Sequence, residues 1–199
     1  VACLRETTQI ASSNIQSMDT YGIIDFITEA GRLKRLHRTG WVESGVHDPE
    51  SVADHSFRVA LIVMILSDAK KLDTLNAVRM AILHDLAEVE IGDLTPTQKG
   101  SDEAGFRRRE DAAMCRLLSN LPPDIQAVYS STWHEFSEGI TQEAKLVRDC
   151  DKLEMVIQAS EYQKAGIDQG KLMRFWHAEI VGDEAKEIRD TVKAQSQKP

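Results

Sequence analysis

SVADHSFRVALIVMILSDA, from Ser51 to Ala69, is the stretch whose reading decides the fold. Apolar residues lie on nearly every side of it at helical spacing, and a helix that is apolar over most of its circumference belongs in the middle of a bundle. His55 shares a face with Val59, Ile62 and Leu66, at four, seven and eleven positions further on, so its imidazole is expected to point into the core. Gly40, Gly45 and Pro49 mark a loop ahead of this helix.

Working outward, the same periodicity recurs in almost every segment, and no stretch sustains the two-residue alternation of a half-buried strand. A helix is predicted over Tyr21 to Arg35, with Ile23, Ile24, Ile27, Ala30 and Leu33 on its apolar side. Asp73 or Thr74 can cap the next, which carries Ala77, Val78, Ala81, Ile82 and Leu83 up to the pair His84-Asp85 before Gly92 and Pro96 end it. Thr95 to Gly105 reads as a loop. Further helices are predicted over Phe106 to Ser119, from Pro123 to Trp133, over Thr141 to Ala165 and over Leu172 to Val192. The expectation is an all-α, single-domain helical bundle over residues 19–195, preceded by a loosely ordered segment over residues 1–18.

Composition narrows the function classes. A chain of 199 residues, 42% hydrophobic and 28% charged, is long enough for one core and too apolar for disorder. Cys3, Cys115 and Cys150 form no CxxC pair and are too scattered for a disulfide framework or a thiolate zinc site, which points to a reducing, cytoplasmic setting. The longest apolar run, Val59 to Leu66, is far shorter than the ~20 residues of a membrane span. The chain opens at Val1 rather than Met, which leaves room for a targeting segment upstream. A net charge of -8 disfavours a nucleic-acid polymer or an anionic membrane as partner. The local basic clusters at Arg32 to Arg38 and Arg107 to Arg109 still suit a small anionic substrate.

The chemistry rests on residues that helical spacing turns inward. Val78, Ala81 and Ile82 lie three or four positions before His84 and Asp85, and Asp151 sits four after Val147 and four before Met155. An inward carboxylate costs several kcal/mol, roughly, unless a cation meets it. Two readings satisfy that need. One divalent ion can be held by His55, His84, Asp85 and Asp151, a mixed nitrogen and oxygen set that suits Mn, Fe, Co or Zn. Alternatively Arg148 or Lys152 neutralises the aspartates, and the histidines bond to backbone carbonyls. Glu88 favours the first reading, because it stands at i+4 from His84 and i+3 from Asp85, where a carboxylate can accept a proton from an activated water.

His55, the His84-Asp85 pair and Asp151 in a later helix reproduce the H…HD…D signature, and on those residues the chain resembles the HD-domain phosphohydrolases. HDLAEVEIGDLTP, His84 to Pro96, is similar to the HDxxExxxGD segment of their 5'-deoxynucleotidase branch. LKRLHRTGW at Leu33 to Trp41, PESVADHS at Pro49 to Ser56 and EAKLVRDCDKLEMVIQASEY at Glu143 to Tyr162 look like the HD-domain-containing protein 2 type within it. The resemblance implies a homodimer that removes the 5'-phosphate from deoxynucleoside monophosphates with one divalent ion such as Mn or Co, with Mg, Fe or Zn as other candidates. It further implies Glu88 as the catalytic carboxylate, Arg38 as the phosphate-binding arginine and Asp93 as the partner of a sugar hydroxyl. Thr39 stands where bacterial members have a Trp after that arginine, and Trp41 is the candidate to cover this side of the pocket instead. His134 is read as a surface residue or one behind the ligands.

Two alternatives stay open on the sequence. One is a phosphohydrolase for a specialised nucleotide, such as a di- or triphosphate or one with a modified sugar. Cyclic-dinucleotide hydrolysis fits less well, since Leu86-Ala87 stands where those enzymes carry Gly-Lys. The other is a catalytically idle, nucleotide-binding regulatory module, against which an intact Glu88 speaks.

Overall fold

A computed structural model of the chain describes residues 20–100 and 102–196. The expected loosely ordered segment over residues 1–18 lies outside the described residues. Helices α1 (Thr20–Ala30), α2 (Thr39–Glu43), α3 (Val52–Lys70), α4 (Thr74–Leu83), α5 (Glu88–Ile91), α6 (Pro96–Lys99), α7 (Glu103–Leu118), α8 (Pro123–Glu138), α9 (Gln142–Lys164), α10 (Gln169–Trp176) and α11 (Asp183–Ser196) follow one another, with a 3-10 turn at Gly31–Arg35 after α1. Among the described residues the one extended pairing is an antiparallel bridge between His37 and Ser51.

The centre is α3 packed against α4 and α9. A capping box starts α3: the Asp54 amide donates to Ser51 Oγ at 3.1 Å, and the Ser51 amide donates to Asp54 Oδ2 at 2.9 Å. Lys71 ends the helix in the left-handed region, with φ 57°. Between these caps Val59, Val63 and Leu66 pack on Ala77, Met80 and Ala81 of α4 and on Ala144, Val147 and Cys150 of α9. The alanines let the three axes approach closely, which brings residues from three elements within reach of one another. Asp73 and Thr141 cap α4 and α9 by accepting the amides of Asn76 and Ala144. A second core gathers Leu83, Leu86, Met114, Leu118 and Trp133, and a third holds Trp41, Val156, Leu172, Phe175 and Trp176.

The structure departs from the expected elements at α6 (Pro96–Lys99), which forms inside the loop expected over Thr95 to Gly105, and in four further places. The helix predicted to reach Arg35 tightens to 3-10 geometry after Ala30. The loop before α3 contains the short α2, whose Trp41 is buried. The run predicted from Asp73 to Gly92 breaks at His84, where i to i+3 bonds from Leu86 to Leu83 and from Glu88 to Asp85 replace the α pattern. The last predicted helix divides around 177–182, because the buried Asp149 carboxylate accepts the Val181 and Gly182 amides at 2.9 and 2.7 Å and starts α11 there. No helix among the described residues is long and apolar enough to cross a membrane.

Candidate metal centre

His55 lies one turn into α3 with no exposed surface, as its spacing predicts. Its Nε2 is 3.1 Å from Asp151 Oδ1 on α9 and 3.7 Å from Asp85 Oδ2 in the turn after α4. On the far side of the ring, Nδ1 is 2.6 Å from Glu154 Oε2. His84 arrives from the end of α4, where the break in the helix swings it toward α3. Its Nδ1 is 2.7 Å from the Ala81 carbonyl, which can only accept, so Nδ1 carries a proton and the neutral ring has its lone pair on Nε2. That Nε2 is buried and makes no hydrogen bond, although Asp85 Oδ2 is 3.1 Å away.

Ligand atoms of His55, His84 and Asp151 all lie within 4.8 Å of one another, and Asp85 closes the fourth side. An imidazole lone pair facing carboxylate oxygens without a shared hydrogen bond is the donor set of a divalent cation, so the residues fit such an ion. The field has the same sign. Burial disfavours a charged His55, and Arg38 repels it, yet Glu154 and the bond to Asp151 raise its pKa to about 10. Burial also works against the Asp85 carboxylate, but His84, Arg38 and His55 hold it below the usual carboxylate range. Asp151 is lowered as well, against its burial, by its bond to His55.

The second sequence reading named Arg148 or Lys152 as the neutralising cation. Arg148 instead donates to the carbonyls of Phe136 and Ser137, both at 2.9 Å, and Lys152 lines a cavity beside the site. The guanidinium that does reach the aspartates belongs to Arg38. Its Nη1 is 3.0 Å from Asp85 Oδ2 and 3.0 Å from Asp93 Oδ1, and its Nη2 is 4.0 Å from Asp151 Oδ1. Burial opposes that charge, and Asp85 and Asp93 more than restore it.

Arg38, Asp85, Glu88, Asp93 and Asp151 line one cavity of about 390 Å³, with Trp41 and Phe175 in its wall. Glu88 begins α5 almost fully buried, and its Oε2 has no hydrogen-bond partner. Burial, then Asp85 and Asp93, push its pKa well above the ordinary carboxylate value. Asp93 uses both carboxylate oxygens locally: Oδ1 takes Arg38, Oδ2 accepts the Thr39 amide at 2.5 Å, and its backbone carbonyl accepts Thr39 Oγ1. Trp41 is buried, donates its indole N–H to Glu50 Oε1 at 2.8 Å and stacks on Phe175 with centroids 3.6 Å apart. His134 is exposed on α8.

Sequence reasoning missed Glu154, Glu50 and the cavity residues Lys99, Met155, Phe175 and Glu179. Glu154 carried a usable signal, since it follows Asp151 by three and therefore shares its helical face.

A family model described as HD domain matches residues 30–194. The chain is 35% identical over 180 residues to human 5'-deoxynucleotidase HDDC2, covering 86% of this chain and 87% of that one. To the Dictyostelium discoideum 5'-deoxynucleotidase HDDC2 it is 38% identical over 148 residues, covering 71% and 77%. Among solved structures, a conserved hypothetical protein from Pyrococcus furiosus superposes with a TM-score of 0.70 at 37% identity, covering 86% of this chain and 99% of that one.

Proposed function

The chain belongs to the HD-domain family, and from that premise we propose that it is a metal-dependent phosphohydrolase that removes the 5'-phosphate from deoxynucleoside monophosphates. The observation that carries this reading is the unbonded, buried Nε2 of His84 among His55, Asp85 and Asp151, with the unpartnered Glu88 oxygen and Arg38 in the cavity that Asp85 and Asp151 line. The relatives named 5'-deoxynucleotidase, matched over most of their length, supply the reaction class.

His55, His84, Asp85 and Asp151 are the ligands in this proposal, with Mn or Co as the ion and Mg, Fe or Zn as alternatives. When bound, such an ion polarises a phosphoryl oxygen and lowers the pKa of water toward neutrality. Glu88 then takes the proton of the attacking water. Its raised pKa makes this carboxylate a stronger proton acceptor than a solvated one, which suits that role. Arg38 balances charge on the phosphate, whose oxygens match its planar fork. Asp93 keeps Arg38 and Thr39 in place and offers a carboxylate to a sugar hydroxyl, while Trp41 and Phe175 close the wall. The P–O5' bond breaks, and the nucleoside leaves with a hydroxyl.

The proposal extends to a cytoplasmic homodimer that handles nucleotides rather than nucleic-acid polymers. The exposed Phe57, Leu61, Met64 and Ile65 along the outer side of α3, with Ile82 beside them, support a second copy covering that face.

Purified chain with Mn2+ or Co2+ is expected to release phosphate from a deoxynucleoside monophosphate panel and not from the matching di- and triphosphates. Glu88→Gln should lower kcat by about 10² to 10⁴ while leaving bound metal unchanged. Full activity in that variant would remove Glu88 from the mechanism, and release from triphosphates alone would overturn the monophosphate assignment.

A further inference from the structure

The ring of His55 is sealed from solvent, and both of its nitrogens face carboxylates. Ligation requires the neutral ring, which has one N–H, so which side keeps that proton decides whether Nε2 can act as a ligand. The contact from Nδ1 to Glu154 Oε2 is 2.6 Å, against 3.1 Å from Nε2 to Asp151 Oδ1, which favours the proton on Nδ1. His84 reaches the same state by a neutral route, through the Ala81 carbonyl. The two histidines thus differ in what stands behind them, and an anionic acceptor makes a ring the more basic donor.

Glu154 is fully buried on α9, and its Oε1 makes no hydrogen bond but has Arg58 Nε 3.4 Å away as an ion-pair partner. Arg58, on α3, donates to Gln158 Oε1 at 2.5 Å and to Glu161 Oε2 at 2.9 Å, so it grips α9 at residues one helical turn apart. The opposite side is closed by Glu50, whose carboxylate lies within 4.8 Å of the ligand-type atoms of His55 and Glu154. That trio is a geometric candidate for a second ion, but the short contact to Glu154 already occupies Nδ1.

We propose that Glu154 is a positioning residue for the metal centre: with its charge balanced by Arg58, it fixes His55 with Nε2 toward Asp85 and Asp151. This rests on the metal-site reading above. In Glu154→Gln a carboxamide replaces the anion and its NH2 can donate to Nδ1, which would turn the ring's proton to the wrong side.

The test is Mn2+ binding by the full chain and by its Glu154→Gln, Glu154→Asp and His55→Ala variants, followed by EPR and calorimetry with melting of the metal-free proteins. Glu154→Gln should bind one ion about 10- to 100-fold more weakly, with Glu154→Asp recovering part of the loss and melting little changed. Its phosphate release should climb back as Mn2+ is raised, with the KM for nucleotide steady. Affinity within twofold of the unaltered chain in folded Glu154→Gln overturns the role, and so does a stoichiometry of two ions falling to one. If His55→Ala binds Mn2+ as tightly as the unaltered chain, the metal-site reading itself fails. If His55→Ala loses the ion while Glu154→Gln keeps it, only the positioning role fails. Should Glu154→Gln not fold, 15N spectra of the unaltered Zn2+-loaded chain decide: a protonated Nδ1 supports the role, and ligation through Nδ1 overturns it.

Discussion

At Glu50 one residue touches both halves of the site: its carbonyl accepts the Arg38 amide at 3.1 Å, its amide donates to Tyr162 Oη at 2.8 Å, and its carboxylate takes the Trp41 indole. Burial, then the charge of Glu154, raise its pKa to about 7. The folded state therefore holds this proton more tightly than the unfolded chain, so the associated stability is full below the ordinary glutamate pKa and is lost as pH rises through about 7. Glu50→Gln should melt at a higher temperature than the unaltered metal-free chain at pH 8 and differ less at pH 5, as read by circular dichroism. Residues of this kind divide sharply in legibility. His55, Asp85 and Asp151 were readable because apolar neighbours at helical spacing mark their faces as inward. Glu154 is marked only by its three-residue spacing from Asp151, since Gln158 at its i+4 position gives that side no apolar neighbour. The pairing of Arg38 with Asp85 and Asp93, 47 and 55 positions away, leaves no local trace at all.

Among the elements, α3 matters most to the site, because its first turn carries His55 and its capping box fixes where that turn begins. Ser51→Ala removes the acceptor of the Asp54 amide and should cost about 1 kcal/mol in urea unfolding. The same change should also weaken Mn2+ binding, since the cap lies one turn from the ring. Ser51, Asp73 and Thr141 were legible as helix starts because short polar side chains before apolar periodicity satisfy orphan amides. The breaks were not legible. His84 ends α4 although Leu86 and Ala87 could continue a helix, because packing in the core around Leu83, Leu86 and Met114 favours the turn. The gap between α10 and α11 is likewise set from a distance, by Asp149 on α9.

For the whole molecule, the all-α architecture and the family were both legible, since a bundle built around one apolar helix and a spaced H…HD…D signature are properties of the whole sequence. The outer side of α3 was not, because apolar residues on every side of a helix do not tell which of them a partner covers. With Phe57 72% and Ile65 58% exposed, the proposed dimer should run at twice 22.3 kDa in light scattering, and Phe57→Glu should halve that mass without unfolding the chain. The bridge between His37 and Ser51 has a consequence of its own. Its neck is tied by Val52 N–H to the Leu36 carbonyl at 2.8 Å, by Arg38 N–H to the Glu50 carbonyl at 3.1 Å and by the His37 ring to the Pro49 carbonyl at 2.9 Å. His47 and Asp48 stand exposed at the far end of this noose. Severing the peptide between them would leave both new ends tethered, so the protein lends itself to a two-fragment complementation reporter whose reassembly restores Arg38 and His55 together.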